Sequence, residues 1–229
     1  MGTLTATTPK PLLRLHGRPI IEHIITGLQR AGIPELVIVT GYRGEQIEAH
    51  LGDGSRLGVR IAYRRQLQAA GTAHALLLAR DAVGTAPFVL SWGDIVVEPA
   101  TYASLLAEFA RIRCDALLAV NEIDDPWRGA AVYVDGSGRV TRLVEKPPPG
   151  TSQTRWNNAG IFVFAPLIVT YADRLRPSAR GEYELPQAVA AMVADGCIVR
   201  AHPVHGFWSD LGTPDDLAAA ERRLRPQEG

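Results

Sequence analysis

The chain has 229 residues, 46% hydrophobic and 21% charged, with 24 Lys+Arg against 24 Asp+Glu and a formal net charge of zero. That is enough for a sizeable core in one large domain or two small ones. It excludes the basic field of a nucleic-acid-binding surface and the basic amphipathic helix of a membrane-surface segment. The two cysteines, Cys114 and Cys197, lack metal-ligand spacing, and the six histidines form no ligand cluster in the sequence. With no secretory apolar region and no apolar run of about 18 residues, the chain reads as cytoplasmic, without nucleic acid or membrane as partner.

Gly2 to Thr8 is polar and aperiodic, and Pro9-Lys10-Pro11 is expected to be extended, because a residue before proline avoids the α region. Apolar Ile20, Ile21, Ile24, Ile25 and Leu28 predict an amphipathic helix over Pro19 to Ala31, opened by Pro19 and stopped by Gly32. The β-branched run Leu36 to Thr40 predicts a strand buried on both faces. Then follow a helix over Arg43 to Leu51, a strand over Val59 to Tyr63, a helix over Thr72 to Arg80 and a short strand over Phe88 to Leu90. A helix over Tyr102 to Ile112 and a strand over Ala116 to Val120 complete this half. Strands alternating with helices imply an α/β fold, Rossmann-like, with a doubly wound, mostly parallel sheet.

After Asn121 the pattern turns β-rich. Ala131 to Val134 and Val140 to Val144 flank Asp135-Gly136-Ser137-Gly138, a hairpin signal, and Pro147 to Thr154 is a loop. Ile161 to Phe164 is a buried strand and Leu185 to Ala194 a helix. Ile198 to Val204 and Phe207 to Asp210 read as a last hairpin, before a closing helix over Pro214 to Leu224. No internal repeat or flexible linker interrupts the chain. The expected organisation is one domain over 1–229, with a nucleotide-type half to about residue 120 and a β-rich half from about 121.

Only two of the 24 basic residues are lysines, Lys10 and Lys146, and each directly precedes a proline. A compact ammonium and a guanidinium are not interchangeable against a phosphate, although a solvated lysine needs no such role. Asp94 follows the Phe88 strand through Gly93, and ligands in open α/β sheets sit beyond the carboxyl ends of strands. By itself the stretch also reads as a β-turn with Asp94 as an Asx acceptor. Asp210 ends a second predicted strand, and Thr213-Pro214-Asp215-Asp216 supplies the cap of the next helix without it.

Six motifs, in order, resemble the NDP-sugar pyrophosphorylases, the sugar-1-phosphate nucleotidyltransferases, from about Leu4 to Leu224. They are Thr8-Pro9-Lys10-Pro11, Gln66 with Gly71-Thr72-Ala73, Gly93-Asp94, Val144-Glu145-Lys146-Pro147, Asn158-Ala159-Gly160-Ile161, and Trp208-Ser209-Asp210-Leu211-Gly212-Thr213-Pro214. Arg180-Gly181-Glu182-Tyr183-Glu184-Leu185 resembles the glucose-1-phosphate uridylyl- and thymidylyltransferase-like branch, departing at Pro186-Gln187 in a way expected to concern the start of the helix.

The resemblance implies the nucleotide-diphospho-sugar transferase fold and a site residue by residue. Lys10 would face the pyrophosphate, and Gln66, Gly71 and Thr72 would bind the nucleotide. Asp94 and Asp210 would hold Mg²⁺. Glu145 and Asn158 would meet sugar hydroxyls, Lys146 the sugar phosphate, and Gly129 would line the sugar pocket. In a regular strand Glu145 and Lys146 face opposite ways, so their cooperation requires a distortion there.

The implied reaction joins a nucleoside triphosphate, UTP or dTTP by the Gln66 amide, to a glucose-1-phosphate-like acceptor and releases pyrophosphate. A mannose- or heptose-1-phosphate guanylyltransferase, an inactive nucleotide-sugar-binding regulatory protein and a homo-oligomer stay open, whereas acetyltransferase-fused forms lack their hexapeptide repeats here. The family begins with an apolar strand and a glycine-rich loop ending Gly-Thr-Arg, and Met1 falls just after that arginine's place. The expectation is that a fuller chain carries this segment and gains stability and turnover from it.

Overall fold

The computed structural model describes residues 8–224. The chain divides into two compact units, one drawn from Met1–Leu67, Ser91–Ser104 and His205–Gly229, the other from Gln68–Leu90 and Leu105–Val204. No helix among the described residues is long and apolar enough to cross a membrane.

The first unit is built on a strand–helix–strand crossover. Strand Glu35–Thr40, helix Gly44–Leu51 and strand Arg60–Arg65 follow one another, and the two strands pair in parallel from Glu35 opposite Arg60 to Thr40 opposite Arg65. Helix Ile20–Arg30 packs Ile21 and Ile25 against Ile47, Leu51 and Val59. Pro19 is its N-cap instead of its first residue, so the helix starts one position later than expected, and Gly32 follows its end at φ +84°. Strand Glu35–Thr40 is only half-buried, in contrast to the two-sided burial its apolar run implies.

Glu22, buried on that helix, accepts from Arg56 at 2.5 Å, His50 at 2.8 Å and Arg18 at 3.3 Å. Burial pushes its carboxyl up, but the bonds from Arg56, His50 and Arg18 outweigh burial and hold it at about 2. A carboxylate with a lowered folded-state value stabilises the fold above the ordinary value and loses that contribution as pH falls toward the folded one. Glu22→Gln should therefore cost roughly 2–3 kcal/mol at pH 7, allowing for solvent screening of Arg56. The difference from wild type should vanish between pH 4.5 and 2 in urea unfolding, and a constant difference would contradict this.

Two further expectations change in this unit. Pro9 is extended at φ −64°, ψ 142°, but Lys10–Leu12 forms a 3₁₀ turn closed by Leu12 N–H to the Pro9 carbonyl at 2.9 Å. Proline is tolerated there because a helical first turn leaves its N–H groups unpaired anyway. Strand Trp208–Asp210 forms no hairpin with its predecessor. It pairs antiparallel with Ile95–Val97, a strand the sequence reading missed, with Asp210 opposite Ile95. Val199–Pro203 instead pairs in parallel with Ala116–Glu122 in the second unit. The closing helix Pro214–Arg223 has the expected cap, a capping box between Thr213 and Asp216.

The second unit holds a sheet in the order Val199–Pro203, Ala116–Glu122, Trp156–Phe164, Ala130–Val134, Val140–Glu145, with Phe88–Ser91 also on Trp156–Phe164. Apart from the Val199–Pro203 edge, the pairs along this order are antiparallel. The α/β class holds, and among the described residues the sheet is mixed where strand–helix alternation implies a mostly parallel one. Phe162 and Phe164, fully buried, stack with centroids 5.1 Å apart. The predicted hairpin turn is anchored by Asp135 Oδ1, which accepts from the N–H groups of Ser137 and Arg139.

Helix Leu185–Ala194 packs on Val140–Glu145, and Leu167–Asp173, also missed from sequence, packs on that helix. Pro186 lies in the first turn of Leu185–Ala194, and Gln187 Nε2 donates to Glu184 Oε2 at 3.2 Å. The departing residues thus act on the start of the helix.

Candidate active site

In the first unit the register Asp210 opposite Ile95, closed by Leu211 N–H to the Asp94 carbonyl at 3.1 Å, makes two distant aspartates neighbours. Both carboxylates turn to Lys10, whose Nζ lies 2.6 Å from Asp94 Oδ2 and 3.6 Å from Asp210 Oδ1. Burial of the carboxyl group first, and the like charge of Asp94 second, raise Asp210 above the ordinary carboxylate value, while Lys10 pulls it down. Asp210's side chain keeps 55% of its surface open, so the pair is reachable from solvent.

Gly93 has little steric need to be glycine, since a Cβ would meet only Pro11 Cγ at 3.7 Å. Gln66 lies half-buried just past strand Arg60–Arg65, with its N–H on the Thr40 carbonyl at 2.8 Å. No group of three or more His, Cys, Asp or Glu able to hold a metal occurs among the described residues. Any cation at Asp94 and Asp210 would therefore draw its remaining ligands from substrate and water, as Mg²⁺ commonly does.

The other site candidates belong to the second unit. Asn157 lies opposite both Asn121 and Ala131, Ala131 opposite Val144, and Ala130 opposite Glu145. Side chains alternate along strands, so Asn158 and Glu145, each one residue further along, share the face opposite Asn157. Asn158 is 2% exposed, with Oδ1 accepting from Gly160 N–H at 3.1 Å and Nδ2 buried without a partner. Glu145 Oε2 is likewise buried and unpartnered. Burial, then the charge of Glu184, pushes the Glu145 carboxyl up to about 7, against the lowering pull of Lys146 and Arg180.

The distortion needed for Glu145 and Lys146 to cooperate is present. The strand ends at Glu145, and Lys146 turns left-handed at φ +43°, its N–H on the Gly129 carbonyl at 2.8 Å. Gly129 itself makes room for protein, because a Cβ there would collide with Asn157 Oδ1.

Gly71 and Thr72 are tied to another segment of their own unit. Gly71 has φ +97°, and a Cβ would collide with the Tyr183 backbone. Tyr183 N–H donates to the Ala70 carbonyl, Ala73 N–H to the Tyr183 carbonyl, and Leu185 N–H to Thr72 Oγ1, at 2.8, 2.8 and 2.9 Å. Gly71→Ala should destabilise by ~2–4 kcal/mol through backbone strain and that collision. A urea midpoint equal to wild type would contradict this.

Sequence reasoning left Arg180 and Glu184 without a role. Arg180 bonds Glu184 Oε1 and lies 3.5 Å from Glu145 Oε1. It also passed over Asn121 and Asn157. The available signal was the same for both asparagines: a polar side chain inside an otherwise apolar strand.

A family model described as nucleotidyl transferase matches residues 2–227. The chain is 36% identical, over 96% of its length, to the low-salt glycan biosynthesis nucleotidyltransferase Agl11 of Haloferax volcanii, and spans 61% of that relative. It is 33% identical to the UTP–glucose-1-phosphate uridylyltransferase AglF of the same organism, covering 98% of this chain and 91% of that one. Among solved structures, a Bacillus anthracis protein assigned as a glucose-1-phosphate thymidylyltransferase, crystallised with sucrose, superposes with a TM-score of 0.88 at 27% identity. That match covers 100% of this chain and 92% of the other.

Proposed function

The chain belongs to the nucleotidyl transferase family, and on that premise we propose that it joins a nucleoside triphosphate to a sugar 1-phosphate, forming an NDP-sugar and pyrophosphate. UTP or dTTP and a glucose-1-phosphate-like acceptor are the substrates favoured by the Gln66 amide and by the names of its relatives. The observation that carries the reading is the convergence of Asp94 and Asp210 on the single cationic head of Lys10.

That pair fits a divalent cation. It is an all-oxygen donor set, its two carboxylates turn toward one positive charge, and Asp210, raised by burial first and by the Asp94 charge second, is held ionised more readily by a nearby cation. Asp94 and Asp210 would hold Mg²⁺, which when bound neutralises charge on phosphate oxygens.

A sugar-1-phosphate oxygen attacks the α-phosphate, and the bond to pyrophosphate breaks. The attacking phosphate is already ionised, so the protein needs no covalent residue and no strong base, and its work is positioning and charge neutralisation. Lys10, on its proline-flanked turn, offers an ammonium to the departing pyrophosphate. Gln66 presents one acceptor and two donors to the base edge, and Gly71 and Thr72 shape the adjoining nucleotide segment. Asn158 Nδ2 and Glu145 Oε2, buried and unpartnered on one face, are suited to sugar hydroxyls. Lys146 holds the sugar phosphate, its backbone fixed on Gly129.

The test is pyrophosphate release measured across the common triphosphates and a panel of sugar phosphates with Mg²⁺. Release that requires both substrates, strongest with UTP or dTTP and glucose 1-phosphate, is expected. No release from any pair would overturn the reading.

A further inference from the structure

The second unit contains a chain of three buried amides, of which the proposed reaction uses only Asn158. Asn157 Nδ2 donates to Asn121 Oδ1 at 3.0 Å and to the Asn158 carbonyl at 2.9 Å. Asn158 Oδ1 accepts from Gly160 N–H, closing an irregularity where the register shifts between Asn158 and Phe162 and Gly160 takes φ +77°. The three asparagines are 8%, 4% and 2% exposed. Burying amides in a strand is costly unless their bonds are made, and two atoms remain unpartnered, Asn157 Oδ1 and Asn158 Nδ2. Asn157 Oδ1 lies over Gly129, where a Cβ would strike it.

The two unpartnered atoms lie on opposite faces of the sheet. Asn121 and Asn157 lie directly opposite each other in register and so share one face, and Asn158 presents its amide on the other. The bond from Asn157 Nδ2 to the Asn158 carbonyl fixes the Asn158 peptide from behind. Asn158 Oδ1 already accepts from Gly160, and the atom of Asn158 that stands without a partner is the donor Nδ2, which suits an acceptor oxygen.

We propose that Asn121 and Asn157 are positioning residues for the sugar phosphate: from the rear face they fix the Asn158 peptide, so that Asn158 Nδ2 meets a sugar hydroxyl oxygen. This rests on the reading of Asn158 as a sugar contact. Neither Asn121 nor Asn157 touches substrate. Gly129 serves the same device by leaving Asn157 Oδ1 its space.

Asn121→Leu removes the acceptor at similar volume, and Asn121→Asp keeps an oxygen in its place. With UTP and glucose 1-phosphate, or the pair the wild type prefers, Asn121→Leu should raise KM for the sugar phosphate about tenfold, the loss of one buried hydrogen bond. KM for the triphosphate should stay within about twofold, and Asn121→Asp should restore the sugar-phosphate KM. Gly129→Ala, pushing on Asn157 Oδ1, should give the same selective rise and stands in if Asn121→Leu does not fold. Two KM values rising together, neither rising, or Asn121→Asp behaving as Asn121→Leu would overturn the positioning role while a functioning wild type keeps the reaction. A wild type inactive with every substrate pair overturns the reaction itself.

Discussion

Asp94→Asn and Asp210→Asn should each lower kcat on the order of a thousandfold, ~4 kcal/mol at 1.4 kcal/mol per tenfold, while leaving unfolding free energy within ~1 kcal/mol of wild type. The two effects separate for a physical reason. Lys10 and its partners are part-exposed, at 25% for Lys10 and 32% and 55% for Asp94 and Asp210, and such ion pairs contribute little to stability. An asparagine at either position also keeps an oxygen for the Lys10 ammonium. At position 210 it removes a carboxylate whose ionisation the fold disfavours, by burial and by Asp94. What the amide cannot supply is the second negative charge that a divalent cation requires. Activity above about a tenth of wild type in either variant would contradict the assignment, and so would a loss of activity matched by a loss of fold. Pyrophosphate release and urea unfolding on the same preparations separate these outcomes.

Lys146→Ala should lower kcat/KM for the sugar phosphate about 30- to 100-fold, as expected for one charge-assisted hydrogen bond, with KM for the triphosphate nearly unchanged. Its backbone makes a sharper comparison available. Lys146 holds φ +43° without being glycine, a conformation costing roughly 1 kcal/mol that alanine shares and glycine relieves. Lys146→Gly should thus match the alanine variant in lost activity while gaining up to ~1 kcal/mol of stability over it. The pH profile should move as well, because the Lys146 charge lowers a Glu145 carboxyl that burial and Glu184 hold at about 7. Without that charge Glu145 ionises at higher pH, and an activity limb that depends on its carboxylate shifts upward. Equal impairment toward both substrates would remove Lys146 from the sugar-phosphate side.

Local order was legible in the sequence, and long-range pairing was not. The helix Ile20–Arg30 declares itself by its apolar spacing and Gly32, Leu185–Ala194 by its apolar run, and Pro214–Arg223 by Thr213 and Asp216. These signals lie within a few residues of each other. Trp208–Asp210 was misread because a nearby preceding strand and an intervening Gly206 carry the local marks of a hairpin. Its partner, Ile95–Val97, is more than a hundred residues away. That pairing brings Asp210 to Asp94, so the meeting of the two aspartates came from resemblance to a family and not from spacing.

The backbone at Lys10 also escaped the reading, and at Lys146 only the need for a distortion was legible, not its form. A residue before proline is biased away from helical angles, yet Lys10 opens a 3₁₀ turn and Lys146 turns left-handed, each held by a backbone bond, Leu13 N–H to Lys10 and Lys146 N–H to Gly129. The asparagines were visible as letters. Their connection depends on Asn157 standing opposite Asn121 across two strands, which no local pattern encodes.

The central claim, that Asp94 and Asp210 together bind a cation for work on a triphosphate, can be read directly by titrating Mn²⁺ into the protein with UTP and following its electron paramagnetic resonance. Wild type should take up one protein-bound Mn²⁺ per chain, and Asp94→Asn and Asp210→Asn should each weaken that uptake at least tenfold. Uptake by both variants equal to wild type would contradict the claim.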